Sequence, residues 1–324
     1  MRRQSRRSEW NTECWPVMTE RESRPPSHLF TGTEPLAATG AAGVARSELG
    51  RRWRTFVKNR AAVAGLALVV VVTVGAVAAP LVAPLDPDEQ QSRSRLQPPG
   101  PTHLLGRDTF GRDVFARVVY AGRVSLLVGI CSVLLGGALG SVMGLVAGYS
   151  GGRVENLIMR LVDILMAFPS LLLGMTVLAV LGPGLFKMIL AIGIMLSPAF
   201  ARVMHSSALA LKKREFVEAA RAVGAGPRRI LGVHILPNVV GEVVVLGSLW
   251  TASAIRVEAN LSFIGLGVSP PTPTWGNMIR DGVPHLLNAP WLSVFPGLAI
   301  LVTVLAFNLL GDGLRDVLDP RLRE

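Results

Sequence analysis

Few side chains in this sequence are arranged for covalent chemistry. The histidines, His28, His103, His205, His234 and His285, are scattered, and neither HExxH nor GxSxG occurs, so neither a zinc-hydrolase pair nor a nucleophile elbow is encoded. Cys14 lies in a polar stretch and Cys131 in an apolar run, which leaves no disulfide framework and no zinc spacing; both read as free thiols. A GxxxxGK[ST] phosphate loop is also missing, because Lys58, Lys187, Lys212 and Lys213 are the only lysines and none follows a glycine. The patterned residues lie between 212 and 238, KKREFVEAARAVGAGPRRILGVHILPN. Their chemistry is non-covalent docking. Phe216, Ala219, Ala220 and Val223 stand at i, i+3, i+4 and i+7 and form an apolar helical stripe, while Arg214, Glu218 and Arg221 point the other way.

This spacing predicts a helix of about three turns over 212–223. Gly224 stands where a helix ends on a left-handed residue, and Ala225-Gly226-Pro227 stops it before a second helical run reaches Leu236-Pro237. Small side chains at 219 and 220 permit close approach of a partner. The segment is the longest polar interruption in an otherwise apolar C-terminal half.

The elements that carry it are membrane spans. Half of the 324 residues are hydrophobic, and the mean hydropathy of +0.45 is too high for a soluble domain of this size. Net charge is +11, and 29 of the 33 basic residues are arginines. Many flank apolar runs, where they act as topology determinants; nucleic-acid binding is not expected. Residues 1–45, polar and without sustained apolar periodicity, are expected to be a disordered tail. Residues 46–123 are expected to hold a cytoplasmic basic segment, the first span (61–85) and an external segment in which Phe110, Val114, Phe115 and Val118 make the stripe of an outer-surface helix. Residues 124–324 are expected to form the core, with spans at 124–149, 154–181, 185–204, about 239–258 and 291–311. Six cations before the first span place the N-terminus in the cytoplasm, and six spans return the C-terminus to the same side. Gly136, Gly140, Gly144 and Gly148 form a small-residue row suited to close helix packing. Arg160 and Asp163 are spaced to pair, Phe168-Pro169 marks a kink, and Arg256 and Glu258 are expected near the outer end of the fifth span. Residues 259–279 read as a re-entrant or outer-surface loop.

Glu218-Ala219-Ala220, Gly224 after three residues and His234-Ile235-Leu236-Pro237 after nine more resemble the EAA loop of ABC importer permeases, by which a membrane subunit docks onto its ATPase. His234 stands where the general pattern has an aliphatic residue, a feature of the peptide and nickel branch. LGRDTFGRDVFARVVYAGRVSL, MRLVDILMAFPS and ANLSFIGLGVSPPTPTWGNMI are similar to that branch as well, so the resemblance covers residues 50–324.

The resemblance implies an all-α polytopic membrane protein with six transmembrane helices, the type I ABC importer permease fold and a cytoplasmic coupling helix. It implies a non-catalytic subunit of a bacterial cell-membrane complex, embedded in lipid with a second related permease, two ATPase subunits and an extracytoplasmic solute-binding protein. ATP would be bound by partner subunits, and this chain would carry no cofactor. The cargo would be a dipeptide or oligopeptide, with nickel as the competing reading. Phe216, Ala219, Ala220 and Val223 would fill a groove on the ATPase, Glu218 and Arg221 would fix orientation, Gly224 would end the helix, and Pro237 with the adjoining spans would transmit movement. A stand-alone carrier or channel, with 212–238 an ordinary basic loop, is the alternative. Ionisable groups kept toward the span ends count against ion coupling.

Overall fold

A computed structural model of the chain describes residue 54 and residues 56–318. The expected polar tail, 1–45, lies outside the described residues. The described chain is helical: α1 Arg60–Val77, α2 Val114–Ser150, α3 Gly152–Ala167, α4 Ser170–Leu181, α5 Leu185–Leu211, α6 Glu215–Ala222, α7 Pro227–Ile264, α8 Trp275–Gly282 and α9 Trp291–Leu318. Five of these, α1, α2, α5, α7 and α9, are long and apolar enough to cross a membrane, and the pair α3 and α4 makes a sixth if it is one span.

The helix ends follow from side chains that serve the first free N–H groups. Asn59 Oδ1 accepts from the backbone N–H groups of Ala61 and Ala62 at the start of α1. Asp113 Oδ1 does the same for Ala116 in α2, and Thr274 and Asn277 form a reciprocal capping box on α8.

Four expectations need correction. The external segment forms no separate surface helix: α2 already begins at Val114, so Val114, Phe115 and Val118 belong to its first turns and the boundary drawn at 123 falls inside it. What precedes it is a loop held by charge, with Arg112 on Asp108 at 2.6 Å, Arg117 on Asp88 at 2.9 Å and His103 against Asp113 at 2.8 Å. The third span is broken, since α3 and α4 meet at 95°. Pro169 forces its predecessor Phe168 to extended backbone (φ −83°, ψ 136°), and the helix cannot continue through it. Asp163 pairs across to Arg202 on α5 at 2.9 Å, and Arg160 is not its partner. The fifth span is continuous with the second helical run of 212–238 and persists to Ile264, ending on Gly265 at φ +97°. Within it, Ile230–Ile235 is a π-helical stretch in which Leu236 donates to the carbonyl of Leu231. That widening lies just ahead of Pro237, whose ring crowds the carbonyl four residues back and which has no N–H to give.

The bundle is built on α2 and α5. A Cβ on Gly136 would come within 2.6 Å of the Gly193 carbonyl, and at Gly140 and Gly144 it would press closer still on the carbonyls of Ser197 and Ala201. Side chains then fill three apolar regions along the bundle. One holds Ala121, Trp275, Leu292 and Phe307, a middle one Ile192, Leu196, Phe200 and Leu261, and the last Leu145, Met204, Ile230 and Val239. Gly140→Ala should therefore destabilise the purified protein by about 1–3 kcal/mol, read as a lower melting temperature in detergent. Gly75→Ala, where a Cβ meets nothing within 4 Å, is the control that should not.

Candidate functional site

The docking segment folds as helix, turn, helix, but the first helix is shorter than its spacing predicts. α5 runs to Leu211, 212–214 make a turn closed by the Arg214 N–H on the Leu211 carbonyl at 3.0 Å, and α6 begins at Glu215. Glu215 and Glu218 in its first turn and Arg221 in its last match the signs of the helix dipole. The C-terminus is as the sequence predicts. Gly224 sits at φ +84°, its N–H donates to Arg221, and the N–H of Ala225 donates to Ala220 at 3.0 Å, a paired closure that satisfies two free carbonyls.

α6 has two apolar faces. Val217, wholly buried, and Ala220 pack inward on Leu145, Met204, Ala208, Ile230, Ile235 and Val239. Phe216, Ala219 and Val223 face outward, Val223 with 85% of its surface exposed. The predicted four-residue stripe thus splits: three residues stay together on the exposed face and Ala220 turns into the core. Glu218, Arg221 and Gly224 are exposed around them, and Pro237 is exposed at the end of the π-helical stretch.

The helix is tied down at both ends. Tyr149, at the end of α2, lies under the ammonium of Lys212 (5.6 Å to the ring centre) and the guanidinium of Arg221 (6.0 Å), contacts that favour a cation over an aromatic face. Around this end of the bundle His205 of α5 meets Glu155 of α3 at 2.7 Å, and Ser207 of α5 donates to Glu242 of α7. Val217 and Tyr149 escape a reading of the sequence. Val217 and Ala220 do stand at i and i+3, a pattern eclipsed by the larger stripe beside it; Tyr149 has no local signal, because its partners are remote in sequence.

Glu258, expected near a span end, is fully buried. Its Oε2 accepts from the Ser125 hydroxyl at 2.9 Å and its Oε1 from Ser262 at 2.7 Å, joining α2 to α7. Among the described residues no cluster of three or more His, Cys, Asp or Glu side chains is placed to hold a metal ion.

Residues 140–324 match the family described as Binding-protein-dependent transport system inner membrane component, and residues 47–99 match the N-terminal TM domain of oligopeptide transport permease C. The Di/tripeptide transport system permease protein DppC of Pseudomonas aeruginosa is 43% identical over 283 residues, covering 86% of this chain and 93% of that one. The Dipeptide transport system permease protein DppC of Alkalihalophilus pseudofirmus is 39% identical over 95% of this chain and 97% of its own. The Glutathione transport system permease protein GsiD of Pectobacterium atrosepticum is 43% identical over 84% and 90%.

The two faces of α6 make opposite predictions for one substitution. Val217→Asp buries an unpaired carboxylate and should cost about 3 kcal/mol or more, seen as loss of folded protein in detergent. Val223→Asp, on the exposed face, should purify with the melting temperature of the unaltered chain.

Proposed function

This chain belongs to the binding-protein-dependent transport inner membrane components, and on that premise we propose that it imports short peptides, taking up the movement of a separate ATPase through α6. It is a multi-pass bacterial inner membrane permease of an ABC importer, with no catalytic centre or cofactor of its own, and it works with an ATPase and a solute-binding protein. The proposal adds a second homologous permease that completes the pathway, two copies of the ATPase subunit, both termini in the cytoplasm, and a core running from α2 to α9. Relatives named for dipeptides, di/tripeptides and glutathione favour a short peptide over nickel as cargo.

The observation that carries the docking role is the exposed apolar surface of Phe216, Ala219 and Val223 on a helix whose opposite side is locked to its own core. A helix in this state is a handle: what grips the outer face moves the inner one. Phe216, a large side chain with 41% of its surface exposed, is the anchor, Ala219 lets the partner's wall approach, and Glu218 and Arg221 set the angle. Closure of the ATPase pair on ATP displaces α6. Val217 and Ala220 pass that displacement to Leu145 and Met204 on α2 and α5, and to Ile230, Ile235 and Val239 on α7. Since α7 is unbroken over 38 residues, the same push reaches the far half of the bundle. Gly224 and Pro237 keep the handle's two helices at a fixed angle.

The test is ATP-dependent uptake of labelled dialanine into proteoliposomes containing the complete transporter. Phe216→Asp with Val223→Asp should abolish uptake while the protein still inserts and folds, and a disulfide or bifunctional crosslink from Ala219→Cys should reach the ATPase subunit. Wild-type uptake by the double variant, or a crosslink to no ATPase, would overturn the docking role.

A further inference from the structure

Arg256 is a charged side chain inside a membrane helix. It lies eight residues before the end of α7, roughly 12 Å along the axis at 1.5 Å per residue, and its guanidinium donates to Ser253 Oγ at 3.1 Å. Among the described residues no carboxylate pairs with it. Glu258, two positions on, points to the opposite side of the helix and is engaged by Ser125 and Ser262. Ionisable groups at membrane depth are costly and persist where they face a water-filled cavity or a ligand.

Arg256 does face a cavity. An open chamber of about 490 Å³ lies where α3 breaks into α4, against Pro198 in the middle of α5 and along one face of α7. Its apolar walls include Phe168, Met195 and Trp250, and the polar groups are concentrated on α7, where Ser253, Arg256 and Asn260 fall on one helical stripe. Broken membrane helices and a few convergent polar groups in an apolar hollow are the setting in which small solutes bind.

We propose that this chamber is a subsite of the translocation pathway in which Arg256 holds the C-terminal carboxylate of a peptide in transit; the assignment rests on the peptide reading above. A guanidinium presents paired donors that match the two oxygens of a carboxylate, and Ser253 and Asn260 are beside it to bond the peptide unit that precedes the carboxylate. Phe168, Met195 and Trp250 accept side chains of varied shape without demanding one. A carboxylate on the second permease would use the same chemistry. The chamber favours the solute, because it has room for a small peptide between the guanidinium and the apolar walls.

The experiment uses the complete transporter in proteoliposomes, with dialanine and its C-terminal amide each loaded on the binding protein and uptake normalised to the amount loaded. Arg256→Gln should slow dialanine by roughly tenfold or more, the scale of a lost charge-assisted hydrogen bond, and Arg256→Lys should fall between. The amide should be carried at one rate by wild type and both variants. Three results overturn the assignment alone: Arg256→Gln carrying dialanine at the wild-type rate, equal slowing of both peptides, or loss of the second permease from the purified variant. Wild-type liposomes that take up neither peptide would overturn the peptide reading and this assignment with it.

Discussion

Where Gly136, Gly140 and Gly144 cross Gly193, Ser197 and Ala201, α2 and α5 approach until backbone meets backbone. In water such a contact would be one among many, but in lipid no hydrophobic gain draws two apolar helices together, and association depends on how many atoms can touch. Removing side chains from one ridge multiplies those contacts and allows weak Cα–H bonds to carbonyl oxygens. The other elements are hung on this pair. Through α2 the charged loop around Asp108 is anchored at one end and Tyr149 at the other, and its flank receives Trp275, whose Nε1 donates to the Val118 carbonyl at 3.0 Å.

Charge is segregated along the bundle in a way that follows from solvent. The loop before α2 and the first turn of α2 gather Arg107, Asp108, Arg112, Asp113 and Arg117 into a buried cluster in which Arg112 pairs with Asp108, Arg117 reaches Asp108 and Asp88, and Arg107 donates to the Gly111 carbonyl. Deeper in the bundle, Glu258 is served by hydroxyls rather than by a cation. That choice ties α2 to α7 with neutral donors and leaves the guanidinium of Arg256, on the other side of the same helix, unengaged by acid.

Much of this architecture is legible in the sequence because each signal is local. Long apolar runs mark spans, the glycine row marks a close crossing, and Gly224 marks a left-handed helix end that the structure bears out at φ +84°. Other features depend on groups far apart in the chain. Asp163 has a plausible neighbour in Arg160, yet its partner is Arg202, 39 residues away. Pro169 announces a break, but the 95° turn is set by what α3 and α4 each pack against. Within the candidate site, six of the eight residues lie exposed on α6 or at its end, and Pro237 is exposed further along. Ala220 differs because an apolar stripe does not say which apolar side belongs to the protein's own core, and on α6 that side is completed by Val217.

The π-helical stretch Ile230–Ile235 has a geometric consequence beyond making room for Pro237. An added residue in one turn advances everything after it by about 100° around the helix axis. Within that stretch α7 presents Ile230 and Ile235 to the back of α6; beyond it the same helix presents Ser253, Arg256 and Asn260 to the chamber. The rotational phase between handle and chamber is thus written into six residues.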